Sequence, residues 1–130
     1  MGIHVQWDNP EQTIIRFRYD GAWNLSDLFD ALQEARELMD TVTHRVDGIV
    51  DLSESKLMPN GALSLGRNVT MRKHPRQGKT VIVGASGFVR TLYDVYRKVY
   101  RTTFDESAYG FASSLEEARQ QLGTQLVAQR

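Results

Sequence analysis

Residues 80–122 constrain the fold more than any other stretch of the chain. They read TVIVGASGF, then VRTLYDVYRKVYRTTF, then YGFASSLEEARQQL, which is strand, sharp turn, basic-backed helix, short strand and capped helix. A β-branched run flanked by Gly78 and Gly84 is a strong strand signal over Thr80 to Ala85. Ser86 is placed to cap a helix whose Val89, Leu92, Tyr96, Val99 and Tyr100 form an inner stripe, and Tyr109 to Ala112 supplies another short strand. Ser114-Leu115-Glu116-Glu117 then has the spacing of a capping box, opening a last helix on Leu115, Ala118, Leu122 and Leu126. Strand and helix alternating in this way predict an α/β domain.

The same reasoning extends to the amino-terminal half. Ile3, Val5 and Trp7 alternate with His4, Gln6 and Asp8, and Ile15, Phe17 and Tyr19 alternate with Arg16 and Arg18, across an Asp8-Asn9-Pro10 turn; this predicts a hairpin with one buried face. Asn24 caps the next element, a helix with Leu25, Leu28, Phe29, Leu32, Ala35 and Met39 at helical spacing. Val46 to Leu52 is apolar enough for a strand covered on both faces, and therefore central. After Asn60-Gly61, the positions of Ala62, Leu65 and Val69 predict a helix that ends before His74-Pro75. The fold class is thus α/β: one domain over residues 1–130, with a mixed, mostly parallel five-stranded sheet and four helices in the order β-β-α-β-α-β-α-β-α.

Composition narrows the function classes. Cysteine is absent, which removes disulfides, thiolate metal sites and thiol nucleophiles and fits a reducing, cytoplasmic compartment. Sixteen basic residues balance sixteen acidic ones, so there is no overall positive field to gather nucleic acid. No apolar run approaches membrane-spanning length, and the start of the chain lacks a secretory pattern. His4, His44 and His74 have no partner at metal-chelating spacing, so no metal or cofactor is expected. No G-x-S-x-G element is present. VGASGFVR resembles a dinucleotide-binding turn only in part, because Arg90 stands where the third glycine belongs; Gly84 and Gly87 fit the turn itself and Ser86 the cap. Arg67, Arg72, Lys73, Arg76 and Lys79 form a basic run without interleaved aromatics, which reads as a solvated loop. Arg90, Tyr93, Arg97, Tyr100 and Arg101 share one side of the third predicted helix, which reads either as tyrosine at the core margin with arginine in water or as the usual anchors of a protein interface. No residue is an obvious catalyst, and an enzyme using the Gly84 to Gly87 turn to hold an anion is the weakest of the readings.

The segment DLSESKLMPNGALSLGR followed by TVIVGASGFVRTLYDV, together with the closing SLEEAR, resembles the STAS family of sulphate-transporter and anti-sigma-factor-antagonist domains, with a STAS-like or Sec14-like grouping nearest. The likeness spans nearly the whole chain. It implies a non-enzymatic regulatory module that binds another protein, or a second copy of itself, through the start of the second predicted helix and its neighbouring loops. Asp51, Ser53, Asn60, Gly61 and Ser64 form that surface. Regulatory members carry an Asp-Ser-Ser-Gly type segment whose serine is phosphorylated; this chain reads Met58-Pro59-Asn60-Gly61, with Pro59 or Asn60 at the acceptor position. The Sec14-like grouping implies an alternative, a small-molecule or lipid-binding domain with a pocket lined by Leu57, Met58, Leu63, Ser86, Gly87 and Phe88 between the sheet and the second and third predicted helices.

Overall fold

The structure, a computed structural model, describes residues 2–56, 75, 77–84, 94, 98 and 109–128. Five strands and two helices lie within them: β1 (Gly2–Trp7), β2 (Ile14–Ala22), α1 (Leu25–Asp40), β3 (Val46–Lys56), β4 (Gln77–Val83), β5 (Tyr109–Ala112) and α2 (Leu115–Ala128). Of the four helices expected, the first and last are these two; the second and third fall outside the described residues. The strands form one sheet in the order β1-β2-β3-β4-β5. It is a mixed sheet, antiparallel between β1 and β2 and parallel at the other three pairings.

The hairpin forms because Asn9 organises its turn. Its Oδ1 accepts the backbone N–H of Thr13 at 3.0 Å and of Ile14 at 3.3 Å, while Asp8 N–H reaches Ile14 O at 2.8 Å. An asparagine that bonds to nearby backbone is the usual way such a turn is fixed. Register then sets the faces: Ile3, Val5 and Trp7 oppose Tyr19, Phe17 and Ile15, all on one side, while His4 and Gln6 oppose Arg18 and Arg16 on the other. His4 is accordingly exposed on the polar side of the hairpin.

Two strands depart from the sequence expectation. β3 does not stop at Leu52 but runs to Lys56, because Asp20, Gly21 and Ala22 of β2 continue to pair with Glu54, Ser55 and Lys56 after an irregularity between Arg18 and Asp20. Trp23 fastens this extension by donating its indole N–H to Ser55 Oγ at 2.8 Å. β4 begins at Gln77 and not at Thr80, because Gln77 still pairs with Val46. Polar composition hid both ends, since backbone pairing with a neighbour carries them rather than apolar side chains.

Helix α1 starts as expected: Asn24 Oδ1 accepts Asp27 N–H at 2.8 Å and Asp27 Oδ2 accepts Asn24 N–H at 3.0 Å, a reciprocal cap. Its buried stripe is Leu28, Ala31, Ala35 and Met39, with Leu32 partly buried. Phe29, expected in that stripe, is instead 39% exposed and lines a cavity between α1 and the sheet. Ala31 takes the inner place because the helix turn that buries Leu28 and Ala35 rotates Phe29 off the packed side. Helix α2 covers the opposite face, where Ala118 and Leu122 pack on Ile14, Ile49, Val81, Val83 and Ala112. Among the described residues, no helix is long and apolar enough to cross a membrane.

Candidate functional site

Parallel strands β2, β3 and β4 point their carboxyl ends the same way, and open α/β sheets present ligands and partners to that edge. Here the edge is built from Asp51, Ser53, Glu54 and Ser55 of β3, Gly84 after β4, and Ser113 and Ser114 after β5. Asp51 is half-buried and Ser53 exposed. The Asp51 carboxylate is committed to the local backbone, its Oδ1 accepting Ser53 N–H at 3.0 Å. That bond holds the Ser53 hydroxyl at the rim.

Gly84 makes the edge compact. Its φ is +71°, a left-handed conformation that a Cβ disfavours, and a Cβ there would come within 2.7 Å of Ser53 Oγ and 3.0 Å of Ser53 Cα. A glycine is therefore needed both for the turn and for the close approach of β4's end to β3's. Its N–H reaches Ala112 O at 3.3 Å, which joins β5 to the same edge. The glycine expected to serve a turn does so; its companions in that motif, Ser86 and Gly87, lie outside the described residues.

Beyond β5, Ser114 caps α2 through Glu117 N–H to Ser114 Oγ at 3.1 Å. The return arm of the box goes to the preceding serine instead. Glu117 Oε2 accepts Ser113 Oγ–H at 2.6 Å and Ser113 N–H at 3.1 Å. These bonds, the hydroxyl first and the backbone N–H second, hold the Glu117 carboxyl below its ordinary pKa. Ser113 is thus occupied in ordering α2.

Charge beside this edge is arranged in pairs. Arg18 lies 3.9 Å from Asp20 and 3.7 Å from Glu54, and His4 lies 3.9 Å from Asp20. At the other end of the sheet, Asp8 is nearly inaccessible and receives Arg119 through two bonds of 2.8 Å, with Arg16 at 3.7 Å. The Asp8 carboxylate raises the Arg119 pKa by hydrogen bonding to it. This clasp ties the hairpin to α2.

Asp47, which was not singled out from the sequence, is the other buried carboxylate at that end. It is 1% exposed, and its Oδ1 accepts Arg45 Nε–H at 3.0 Å and Lys79 N–H at 2.8 Å where β3 and β4 slip register between Val46 and Gly48. A Cβ on Gly78 would run into Arg45 Nε and Asp47 Oδ1, so glycine is required for this pair to form. An acid inside the run VDGIVDL was the available signal, because a lone carboxylate in an apolar strand requires a partner. His44, placed from the sequence at an element end without a role, has its Nε2 at 2.8 Å from Gln12 O.

Of the five residues read as a partner surface, Asp51 and Ser53 are adjacent on the edge, and Asn60, Gly61 and Ser64 lie outside the described residues. Leu57, Met58, Leu63 and Phe88 also lie outside them, as do His74, the arginines of the third predicted helix and Arg67, Arg72, Lys73 and Arg76 of the basic run. Lys79 is described, and its N–H serves Asp47. Among the described residues, no group of three His, Asp or Glu side chains could hold a metal ion.

No family model matches the sequence, and no curated protein does. In fold the chain is similar to the anti-sigma factor antagonist SpoIIAA in its unphosphorylated form: 15% of residues are identical, 93% of this chain and 97% of that one are covered, and the TM-score is 0.51. At that identity the likeness establishes the fold, which is STAS-like.

Proposed function

We propose that this chain is a non-enzymatic, cytoplasmic STAS-like regulatory module that binds another protein, or a second copy of itself, through the carboxyl-end edge of its sheet. The observation that carries the reading is the state of that edge. Ser53 is exposed at the rim, Asp51 and Glu117 are spent on local backbone and hydroxyl groups, and Gly84 leaves the corner without a side chain. Such an arrangement offers hydrogen-bonding shape to a partner.

The likeness in fold to a protein described as an anti-sigma factor antagonist supports the same reading. Asn60, Gly61 and Ser64 complete the surface by the family resemblance of their segment. Serine switching at the family's acceptor position is left out of the reading, since Pro59 or Asn60 stands there.

Two substitutions test it. Ser53→Arg and Asn60→Arg each place a long cation at the proposed surface, and each should weaken complex formation at least tenfold with no fall in thermal stability. Partner binding that stays unchanged in both proteins would refute the surface. Light scattering distinguishes the two classes of partner, because self-association through this edge would be lost in the same variants.

A further inference from the structure

The sheet has two lateral edges, and they are guarded differently. β5, at one, is four residues long, and so short an edge strand gives another chain little to pair with. β1, at the other, is six residues long and keeps register with β2 from Gly2 to Trp7 without a bulge. Its sequence, GIHVQW, holds no proline, lysine, arginine or carboxylate, the residues by which edges are ordinarily kept from pairing. Among the described residues, no strand lies beyond it. Which backbone groups this edge offers follows from one hydrogen bond. Asp8 N–H reaches Ile14 O, so Asp8 and Ile14 are a hydrogen-bonded pair of the antiparallel ladder, and by alternation so are Gln6 with Arg16 and His4 with Arg18. The residues between them, Ile3, Val5 and Trp7, therefore turn N–H and C=O away from β2 and toward the open side. Thr13 agrees with this alternation, since its C=O points the other way and accepts Asp47 N–H from the start of β3.

We infer that β1 pairs with β1 of a second copy of this chain, antiparallel about a two-fold axis at Val5, so that two sheets join into one. In that register Val5 exchanges both backbone bonds with the partner's Val5, and Ile3 does so with the partner's Trp7. The faces agree as well. Ile3, Val5 and Trp7 are partly buried on the α1 side, so apolar groups meet across the seam and Trp7 gains cover from the partner's Ile3. On the exposed side, His4 stands opposite the partner's Gln6, and no like charges are opposed. A slip of one residue would set apolar against exposed positions. A slip of two toward the amino end would leave Trp7 outside the seam and set His4 against the partner's His4. An unrelated strand has no built-in match to this spacing, whereas the copy carries it by symmetry. Two six-residue strands bury less than a permanent dimer needs, so the association is weak and concentration-dependent. It lies beside the sheet, leaves the strand ends free and stands independently of the proposed function.

Sedimentation equilibrium of the intact chain tests this. A monomer–dimer equilibrium with Kd on the order of 100 µM is expected, in the range of small transient interfaces. Val5→Pro removes an N–H that β2 does not use, and should raise Kd about tenfold because each copy loses a donor at the seam. His4→Glu combined with Gln6→Glu sets carboxylates opposite Arg18 and Arg16 inside the hairpin, which preserves the fold, but opposite one another between copies. Kd should again rise about tenfold. His4→Lys combined with Gln6→Lys should also lose self-association, and mixing it with the double-glutamate protein should restore a one-to-one dimer. Ser53→Arg should leave Kd unchanged, which separates this edge from the strand ends. The inference fails if the parent stays monomeric at millimolar concentration, or if the dimer persists in both the Val5→Pro and the double-glutamate proteins. Oppositely charged variants that do not associate on mixing also overturn it, and the charge variants decide the matter alone if Val5→Pro does not fold.

Discussion

The two faces of the sheet are built to different standards. Against α2, Ile49, Val81, Ala118 and Leu122 are fully buried and Val83 nearly so, and small residues at Ala112 and Ala118 let helix and sheet approach closely. Against α1, the inner residues are larger and more aromatic, and Tyr19 meets Trp23 edge-on with ring centroids 5.1 Å apart. That face still leaves a cavity beside Phe29 and Leu32. Among the described residues, packing is closer on the α2 face than on the α1 face.

Removing matter from each face tests this contrast most severely. Leu122→Ala opens a hole where nothing can collapse and should cost about 3–5 kcal/mol in denaturant unfolding. Gly84→Ala should cost about 1–2 kcal/mol, because alanine must hold the left-handed conformation against Ser53. On the looser face, Leu32→Ala should cost only about 1 kcal/mol, since part of its surroundings is already vacant. A loss equal to that of Leu122→Ala would erase the distinction between the faces.

Smallest of all is a pH effect at the start of α2. The Glu117 carboxyl titrates below its unfolded value, so its contribution is present at pH above the ordinary carboxylate range and is lost as pH falls through its folded pKa. Glu117→Gln should therefore flatten the acid limb of the stability-against-pH curve and leave the limb above neutrality unchanged. An unaltered acid limb would mean that Ser113 and Glu117 do not hold together in solution.

What could be read from the sequence followed from period and from local chemistry. Alternation placed the hairpin and its faces, Asn24 and Ser114 announced both described helices, and the run from Val46 announced the central strand. Strand ends were less legible: Ser53 to Lys56 and Gln77 to Lys79 are polar, and only pairing with a neighbour makes them strand. Phe29 looked like core because helical spacing gives a stripe but not which margin of it meets the sheet. The Asp8–Arg119 clasp could not be foreseen, since its partners are 111 residues apart and each is an ordinary surface charge in its own segment. For the candidate site, Asp51 and Ser53 were named from where a parallel strand was expected to end, and that strand runs on to Lys56. The cavity was not, because vacancy is a property of packing that no single residue encodes.

The most direct test of the account is co-purification of the tagged parent chain and its Asn60→Arg and Ser53→Arg forms, with melting temperatures measured alongside. The account predicts one partner, or the second copy, that is retained by the parent and lost from both variants while all three melt together. Equal retention by the three proteins, or substrate turnover that disappears when Asp51 is replaced in a chain that remains folded, would contradict it.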